Sequence, residues 1–565
     1  MNNQIDWSKL SKLEKIKHDS NYLRGTLTES LEDPVTGAIA EDDTQISKFH
    51  GIYQQHDRDI EKERKRQKLE PAFSFLIRVR LPGGIATPDQ WLQMDKLADK
   101  YANGTLKLTT RQAFQLHGVI KRNLKTTIQG INEALLDTIA ACGDVNRNVM
   151  SHANPAESVI HEQVYQLAGE LSARLTPQTP AYHEIWLNKQ LVVSTKEEIE
   201  PVYGRRYLPR KFKIGIAIPP YNDIDVFSQD LGFIAIEENG RLAGYNVTVG
   251  GGMGSTFGNP DTYPRLGDVI GFCRPGQVLE VAEKIVLIQK DYGNRQDRKR
   301  ARLKYTIDTN GLEWFKYELN NRLGYELSPA RKFKFIRNGD RYGWKQGPNG
   351  KWSLNLFVEG GRVKDTETLP LKTAIREVAG KVDDARFILT GNQNLIIANT
   401  QQKEKVARIL KKHGVWPASL SGLRKNSIAC VALNTCGLAF AEAERYLPDL
   451  IGKIETILKE YDLLKEEIVI RMTGCPNGCG RPYLAEIGLI GKSIGHYNLY
   501  LGGNKQGTRL NALYRETLTE QEILDTLKPI FADFALNKAK NESFGDFVIR
   551  RQYISATEHG RDFRH

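Results

Sequence analysis

The sequence predicts an α+β protein made of two fused halves, related by a pseudo-twofold axis, with mixed sheets around a central site. Three observations support this class. An internal repeat runs along the chain, strand-like and amphipathic segments alternate within each half, and the chemically distinctive residues fall near corresponding places in the two halves.

The repeat consists of four pairs of related segments, in the same order in both halves. The pairs are Arg78–Gly84 with Asn355–Gly361, Leu106–Gln112 with Phe387–Gln393, Asn146–Asn148 with Arg424–Asn426, and Tyr245–Gly251 with Tyr497–Gly503. The offsets lie between 252 residues (497 − 245) and 281 residues (387 − 106). Shifts of this size indicate one large duplication, since solenoid repeats are only about 20–50 residues long.

Each half is expected to open with a strand-like stretch that is followed by an amphipathic helix. Thr87–Tyr101 and Leu371–Gly380 carry apolar residues near helical spacing, and they predict these two helices. A second strand is predicted over Thr105–Leu116 in the first half and over Arg386–Ala398 in the second. The same order of elements in both halves follows from the duplication.

The later part of each half is predicted to contain a hairpin. In the first half, two strand-like runs flank Asn239-Gly240, a pair that suits a type I′ turn. In the second half, Leu484–Leu501 repeats this pattern around Gly491-Lys492. A helical stretch is predicted over Phe440–Tyr461, although Pro448 should break or kink it.

Length and composition limit the class of protein. The chain has 565 residues, with 80 Lys and Arg against 68 Asp and Glu, so its net charge is 80 − 68 = +12. At about 150 residues per domain, the length predicts roughly three or four domains. The hydrophobic fraction of 40% excludes wholesale disorder, and no apolar run approaches the ~18 residues of a membrane helix. The first residues lack the apolar segment of a secretory signal, so we expect a cytoplasmic protein with no membrane partner.

The cysteines point to a metal site. Four of the six form two pairs with the spacings C-x5-C and C-x3-C, namely Cys430, Cys436, Cys475 and Cys479. In a reducing compartment, clustered thiols indicate metal binding rather than disulfides. These spacings fit zinc sites poorly, whereas a four-iron cluster presents each iron at its own corner and tolerates varied spacing. Four inert buried cysteines and a zinc site remain the alternatives, and the sequence gives no role to Cys142 and Cys273.

A set of cationic side chains lies at or near the repeated segments of the first half. Its members are Arg78, Arg80, Lys107, Arg111, Arg147, Lys211 and Lys213. Residues two apart in a strand share a face, so Arg78 with Arg80, and Lys211 with Lys213, are each predicted to face one side. An ordinary polar strand surface would also explain the pairs. Their coincidence with the repeat favours a site for an anionic cofactor, an anionic substrate or both.

A second basic run, Arg295–Lys304, allows a nucleic-acid interpretation. No zinc finger, RNP motif or recognition-helix pattern accompanies it. We therefore expect a solvated helix face, from which Arg302 or Lys304 reaches the cofactor, and no nucleic-acid partner.

The motifs CVALNTC and TGCPNGCGRP resemble the siroheme and four-iron cluster signature of sulfite and nitrite reductases. Further stretches are similar to the hemoprotein (beta) subunits of the NADPH-dependent assimilatory sulfite reductases in this family, namely His18–Gly25, Phe49–Gln55, Leu208–Lys213 and Phe544–Phe547. The resemblance covers nearly the whole chain. It implies ferredoxin-like half-domains and a six-electron reduction of sulfite to sulfide in cysteine biosynthesis.

The resemblance also assigns roles to single residues. It implies a 4Fe-4S cluster held by Cys430, Cys436, Cys475 and Cys479, with Cys479 as the axial ligand of the siroheme iron as well. The positions that hold siroheme, which carries eight carboxylates, are matched here by Arg111, Gln115, Asn477 and Lys107. Lys107 stands where the family often has Arg. The positive charge is kept there, but a lysine cannot bind a carboxylate through two parallel N–H groups as an arginine does. The residues expected to bind sulfite and relay protons are Arg78, Arg147, Lys211 and Lys213.

The expected partners follow from the same resemblance. The sequence has no convincing dinucleotide-binding fingerprint, because Gly250–Gly254 follows a repeated strand and is interpreted as a turn. NADPH is therefore expected to act only indirectly, through a flavoprotein (alpha) subunit that carries FAD and FMN in a hetero-oligomer. The segment Met1–Lys68 lies outside the repeat and would dock that partner or wrap the core. Two alternatives stay open, a ferredoxin-dependent sulfite or nitrite reductase and a zinc-stabilised nucleic-acid-binding protein.

The expected domain organisation has four parts. They are an N-terminal extension over 1–75, a pseudo-symmetric ferredoxin-like domain made of 76–140 and 343–417, a first siroheme and substrate domain over 141–342, and an iron–sulfur and siroheme domain over 418–565.

Overall fold

The structure is a computed structural model that describes residues 5–189, 198–415 and 420–564. The expected domain boundary between 417 and 418 lies outside the described residues. The strands, in chain order, are β1 (Ile52–His56), β2 (Phe73–Arg78), β3 (Ile85–Ala86), β4 (Leu106–Leu108), β5 (Phe114–Val119), β6 (Met150–Ser151), β7 (Ile214–Ala217), β8 (Leu231–Glu238), β9 (Arg241–Val249), β10 (Asp268–Cys273), β11 (Gly343–Gln346), β12 (Trp352–Leu356), β13 (Arg362–Val363), β14 (Arg386–Leu389), β15 (Leu395–Thr400), β16 (Ser427–Ala429), β17 (Ile470–Thr473), β18 (Ile487–Ser493), β19 (His496–Leu501) and β20 (Ala512–Leu518).

The α-helices surround these strands. In chain order they are α1 (Lys12–Asp19), α2 (Leu27–Glu32), α3 (Asp43–Ile46), α4 (Glu61–Arg66), α5 (Pro88–Tyr101), α6 (Leu124–Glu133), α7 (Val159–Arg174), α8 (Ala181–Leu187), α9 (Val278–Tyr292), α10 (Leu303–Asn310), α11 (Leu312–Leu323), α12 (Leu371–Lys381), α13 (Lys403–Lys412), α14 (Gly422–Lys425), α15 (Leu447–Glu460), α16 (Glu520–Asn537) and α17 (Phe544–Arg550).

Two five-stranded sheets are each completed by a strand from the other half of the chain. Sheet 1 has the order β1-β2-β5-β4-β13, and sheet 2 has the order β11-β12-β15-β14-β3. β13 pairs antiparallel with β4, which places Arg362 opposite Lys107. In return, β3 pairs antiparallel with β14, which places Ile85 opposite Ile388. The two halves thus exchange one short strand each.

The other two sheets are mixed and have the same topology. Sheet 3 has the order β10-β9-β8-β7-β6, and sheet 4 has the order β16-β17-β18-β19-β20. In each, the first three strands along the chain are parallel and the last two are antiparallel. The segment after the second parallel strand is 218–230 in sheet 3 and 474–486 in sheet 4. These equivalent segments carry much of the site described below.

The apolar core joins the two halves. Trp91 on α5 is fully buried, and its ring lies 5.6 Å from that of Phe114 in sheet 1 and 5.1 Å from that of Phe387 in sheet 2. A separate core covers sheet 4 with α15, α16 and α17, where Phe534 contacts Phe544 and Phe547. The α+β class and the duplicated mixed sheets are confirmed.

Two predicted elements are confirmed in detail. α5 begins directly after Thr87, whose hydroxyl accepts the Gln90 N–H while the Gln90 side chain accepts the Thr87 N–H, which forms a capping box. The hairpin of sheet 3 turns at Asn239 and Gly240, with φ angles of 52° and 76°. Asn and Gly tolerate these positive φ values better than other residues do, which is why this pair predicts the turn.

The predicted second strand of each half is wrong, because it is a pair of antiparallel strands. In the first half the chain turns between β4 and β5, where Thr109 Oγ1 accepts the N–H groups of Arg111 and Ala113. In the second half Thr390 Oγ1 does the same for Asn392 and Asn394, between β14 and β15. In both turns a threonine hydroxyl bonds the backbone two and four residues ahead, and in the second half Gly391-Asn392 also favours the turn.

Two further predictions are corrected by turn and helix chemistry. The helix predicted over Phe440–Tyr461 is confined to α15, which has Pro448 in its first turn, where a missing N–H has no cost. The hairpin of sheet 4 turns at Ile494 and Gly495 instead of Gly491-Lys492, because Gly495 supplies the positive φ of 74°.

Candidate functional site

The four paired cysteines lie at one edge of sheet 4. β16 and β17 are parallel, with Ala429 opposite Met472, so their carboxyl ends meet at the same edge. Cys430 directly follows β16, and its N–H donates to the carbonyl of Met472 over 3.2 Å. Cys475 and Cys479 lie in the segment that follows β17. The fold therefore brings thiols from two separate stretches of chain together.

These thiols are close enough to affect one another's ionisation. Burial raises the pKa of Cys430 well above its usual range, and negative charge on Cys479, Cys475 and Cys436 raises it further. Burial also raises the pKa of Cys475 to about 12. Buried thiols of this kind become thiolates when a metal centre neutralises their charge.

The separation of the sulfurs fits a cluster better than a single ion. A tetrahedral zinc with Zn–S bonds of about 2.3 Å holds its sulfurs within roughly 4 Å of one another. Among the described residues, the only group of three or more His, Cys, Asp or Glu with ligand atoms all within 4.8 Å is His152, Glu157 and His161, where Arg341 already pairs with the carboxylate. The four thiols are thus spread more widely, as the separate corners of an iron–sulfur cube require.

The backbone around the thiols adds donors and room. The N–H of Gly474 donates to Cys430 Sγ over 3.4 Å, and Asn477 Nδ2 lies 3.6 Å from Cys475 Sγ. Gly478 has a φ of 64°, and a Cβ there would lie 2.8 Å from the Met253 carbonyl. Donors to sulfur stabilise thiolates and tune the potential of a bound cluster.

A cationic surface faces this edge from the first half. The backbone of Phe212 bonds Val145 and Arg147 over 3.0 and 2.9 Å, which fixes the segment that carries Lys211 and Lys213. Both lysines are half-buried and lie near Cys479, whose negative charge would favour their protonation. The predicted pairing of Lys211 with Lys213 on one side is consistent with these shared neighbours.

Crowding of positive charge lowers the basicity of this surface. Burial and the Arg210 guanidinium lower the pKa of Lys211 to about 7. Burial, Arg111 and Lys211 lower the pKa of Lys213 well below its usual range. Burial and Arg481 likewise lower the pKa of Arg111 to about 9. A surface with this excess of cations favours an anionic occupant.

Arg78 and Arg111 are oriented by amide side chains. Arg78 Nε and Nη2 donate to Gln115 Oε1 over 2.9 and 2.7 Å, and its Nη1 donates to Cys142 Sγ over 3.3 Å. Arg111 Nη2 donates to Gln229 Oε1 over 2.6 Å. These contacts fix the two guanidinium groups, and neither forms an ion pair with a carboxylate in the part of the chain that the structure describes.

Lys107 has a different environment. It is buried, and its Nζ forms an ion pair with Glu444 and a hydrogen bond to the carbonyl of Gly360, both from the second half. Its charge is therefore matched within the protein. A cofactor contact by Lys107 stays a prediction.

Other cations predicted near the site are used elsewhere. Arg80 does not share the environment of Arg78, because it pairs with Asp137 and donates to Thr176 over 2.7 Å. Val79 between them is fully buried while both arginines are half-buried, so the predicted alternation is seen, but the two guanidinium groups bond different partners.

The run Arg295–Lys304 is not a solvated helix face. Arg298 is bonded to Asp144 over 2.7 Å, and Arg302 forms a buried pair with Asp230 at 2.9 and 2.7 Å. Lys304 is buried and donates to carbonyls, including that of Gly254 over 2.8 Å. These partners hold the glycine-rich turn after β9 in place. A cofactor contact by Arg302 or Lys304 stays a prediction.

Several residues of the site were not predicted from the sequence. Tyr53 lies beside Arg147 and Cys142, although it belongs to the N-terminal segment outside the repeat. Gln229 orients Arg111, and Arg481 crosses from the second half to bond the Thr110 carbonyl over 3.0 Å. Arg481 directly follows the glycine after Cys479 in the motif. This position next to a predicted metal ligand could have indicated that Arg481 belongs to the site.

Comparison with known proteins gives two family models that match this chain. The family model described as the nitrite and sulphite reductase 4Fe-4S domain matches residues 168–327. The model described as the nitrite/sulfite reductase ferredoxin-like half domain matches residues 67–134 and 345–413. Within the described residues, no helix is long and apolar enough to cross a membrane. The structure of the Mycobacterium tuberculosis NirA protein has the same fold, with a TM-score of 0.75, 23% identity and 96% of each chain covered.

Relatives of similar length share more than half of the residues. The sulfite reductase [NADPH] hemoprotein beta-component of Oceanobacillus iheyensis is 59% identical over 557 residues, which cover 98% of this chain and 96% of that protein. The protein of the same name from Staphylococcus haemolyticus is 57% identical over 566 residues, which cover 100% of this chain and 98% of that protein. Over its full length, therefore, the chain belongs to the nitrite and sulfite reductase family, among its sulfite reductase hemoprotein beta-components.

Proposed function

We propose that the chain is the hemoprotein component of an NADPH-dependent assimilatory sulfite reductase. In the reaction, sulfite takes up six electrons and seven protons and gives hydrosulfide and three waters. The observation that carries this proposal is the position of Cys479. It is the one exposed member of the four thiols, and its charge acts on Lys211 and Lys213 across the site. One sulfur therefore connects a redox site to a surface for anions.

The donor set supports two resident groups. Cys430, Cys436, Cys475 and Cys479 would hold a 4Fe-4S cluster, and Cys479 would also hold the iron of the siroheme. Arg111, Gln115, Asn477 and Lys107 would hold the siroheme, whose carboxylates match the excess of cations. When bound, the siroheme and cluster supply the metal site for sulfite and the store of electrons that the reduction needs.

The substrate is expected to lie among four cations of the first half, Arg78, Arg147, Lys211 and Lys213. The two guanidinium groups would bind sulfite oxygens through paired N–H donors. The lysines would hold the remaining oxygen and donate protons as each S–O bond breaks, since an ammonium of lowered pKa gives up its proton near neutral pH. Positive charge around the leaving oxygens stabilises the negative charge that develops on them.

Electrons would come from a flavoprotein (alpha) subunit that carries FAD and FMN and oxidises NADPH, in a hetero-oligomer. This assignment agrees with the names of the relatives and with the absence of a dinucleotide fingerprint in the sequence. We place the enzyme in the cytoplasm, where thiols stay reduced until a cluster is inserted. The nearest alternative is a ferredoxin-dependent sulfite or nitrite reductase.

A visible spectrum combined with metal analysis tests the cofactors. We expect siroheme absorption together with four cluster irons and one heme iron per chain. A colourless preparation that contains one zinc and no iron would refute the proposal and favour the zinc-stabilised alternative. The substrate needs a separate measurement, in which sulfite and nitrite are compared at matched concentrations with a low-potential dye as donor. Much faster turnover of nitrite would exclude the sulfite assignment.

A further inference from the structure

Two large apolar side chains are exposed next to one of the cysteines. Leu438 and Phe440 follow Cys436 by two and four residues, and they are 66% and 48% exposed. Both precede α15 in a stretch without regular structure. Exposed apolar residues grouped in this way are typical of a surface that binds another protein.

This surface is connected to the thiols by few bonds. The N–H of Phe440 donates to the Gly474 carbonyl over 2.8 Å, and the N–H of Gly474 donates to Cys430 Sγ over 3.4 Å. Arg58 Nη1 donates to the carbonyls of Ala439 and Cys436 over 2.7 and 3.3 Å, which fixes the loop. The backbone that carries the exposed phenyl ring is therefore fixed beside the thiols, close to the place where electrons must enter.

The apolar centre has a cationic rim. The Phe440 ring lies 5.8 Å from that of Phe257, and Lys492 Nζ lies 4.6 Å from the centre of the Phe257 ring. Lys492 has no carboxylate within 4.0 Å among the described residues. An apolar centre beside an unpaired cation fits a partner with acidic residues around an apolar contact, and the chain's net charge of +12 would steer such a partner toward it.

We propose that Phe257, Leu438, Phe440 and Lys492, here named the entry surface, dock the flavin-carrying domain of the electron-donating flavoprotein. This inference rests on the proposed function. The reduced flavin of the partner is the reductant, and each docking event passes one electron to the cluster, so six transfers supply the electrons that sulfite consumes. The surface is small, which suits a contact that forms and separates repeatedly.

The test uses the holoenzyme with Leu438→Glu and, separately, Lys492→Gln. Sulfite reduction is measured with NADPH and the flavoprotein at limiting concentration, and again with a chemically reduced low-potential dye. We expect each variant to lose about tenfold in the NADPH-driven rate, because a misplaced charge or a lost ion pair costs roughly 1.4 kcal/mol. The dye-driven rate should stay within about twofold. Leu536→Glu, which alters an 83% exposed leucine on α16, is the matched control.

A second readout is independent of turnover. Carbodiimide coupling joins a lysine amine directly to a carboxylate, so it should link the wild-type chain to the flavoprotein and lose that product in Lys492→Gln. Iron content and the visible spectrum establish that the variants are loaded. NADPH-driven rates and coupling that are unchanged in both variants would overturn the docking proposal. Failure of the wild-type protein to reduce sulfite with the dye would instead overturn the proposed function.

Discussion

Asp225 of the first half accepts a hydrogen bond from Arg471 of the second half over 2.7 Å, and both side chains are almost fully buried. The same carboxylate also accepts a hydrogen bond from Nε of Arg481, and Nη1 of Arg481 donates to the Thr110 carbonyl over 3.0 Å. One buried anion thus links the segment after β7 to that after β17. The pair of arginines keeps the pKa of Asp225 below its usual value despite burial.

Asp225→Asn should destabilise the chain because it leaves two buried arginines without a counter-charge. Breaking a buried pair of this kind costs about 3–5 kcal/mol. The free energy of unfolding in urea would measure the loss. Asp546→Asn is the control, since it weakens a partly exposed ion pair with Arg509, and it should change the same quantity by only about 1 kcal/mol. Equal effects of the two substitutions would contradict a special role for Asp225.

Cys430→Ala should abolish cluster assembly, so the purified protein should lose about four irons per chain. Cys273→Ala offers a matched control, because Cys273 is also buried but lies in β10, away from the four thiols, and burial alone raises its pKa to about 12. Iron analysis separates the two. An iron content that falls in Cys273→Ala as much as in Cys430→Ala would show that the loss reflects general misfolding.

Sulfite binding should weaken as the pH rises through the pKa of Lys211. That pKa is lowered to about 7, so the side chain is cationic below this pH and neutral above it. Its charged neighbours are Arg210, Cys479, Arg302 and Arg147. The carboxylates of a bound siroheme would raise the pKa of Lys211 and so move the transition to higher pH. In Lys211→Arg the charge persists, so the rise of KM for sulfite should shift to higher pH.

The measurement is the pH dependence of KM in both proteins with a dye as donor. Sulfite itself takes up a proton near neutral pH, and that titration is common to both, so only the difference between the profiles reports on Lys211. Superimposable profiles would mean that the Lys211 charge does not contribute to binding.

Tyr53→Phe should weaken sulfite binding through Arg147. The hydroxyl lies beside the Arg147 guanidinium, and loss of a polar neighbour of this kind costs about 0.5–1.5 kcal/mol, which is roughly two- to tenfold in affinity. We expect KM to rise while kcat and the visible spectrum change little. Tyr317→Phe, at a 67% exposed position, is the control and should leave KM unchanged. A fall in kcat at constant KM would assign Tyr53 to a chemical step instead.

Much of the fold follows from local sequence signals. The repeat predicts two halves, Asn239-Gly240 predicts a hairpin, and Thr87 with Gln90 marks the start of α5. The turn at Thr109 is not predicted, because a side-chain hydroxyl stabilises it without a glycine. After Thr390, Gly391-Asn392 is a turn signal that the prediction of a single strand did not use. The exchange of β3 and β13 is not predicted either, since strands of two residues leave no periodicity.

The candidate site, like the fold, could be predicted only in part from local sequence signals. The four cysteines could be grouped from their sequence alone, because two close pairs of thiols flanked by glycines indicate a metal site. The convergence of cations depends on which side chains lie within reach in three dimensions, and so Arg78 bonds Gln115 while Arg80 bonds Asp137. Tyr53 enters the site from outside the repeat, and no local pattern connects it to Arg147.

The exchange of β3 and β13 has a consequence for how such a chain arose and how it can be divided. If each half is produced alone, sheet 1 lacks β13 and sheet 2 lacks β3, and each half leaves the unpaired edge that its counterpart would fill. Ancestral halves with this geometry would have been obligate dimers that exchanged strands, and gene fusion would have joined the two exchanging subunits in one chain. Two separately expressed halves should therefore reassemble when mixed, as a split protein whose recovery requires both pieces.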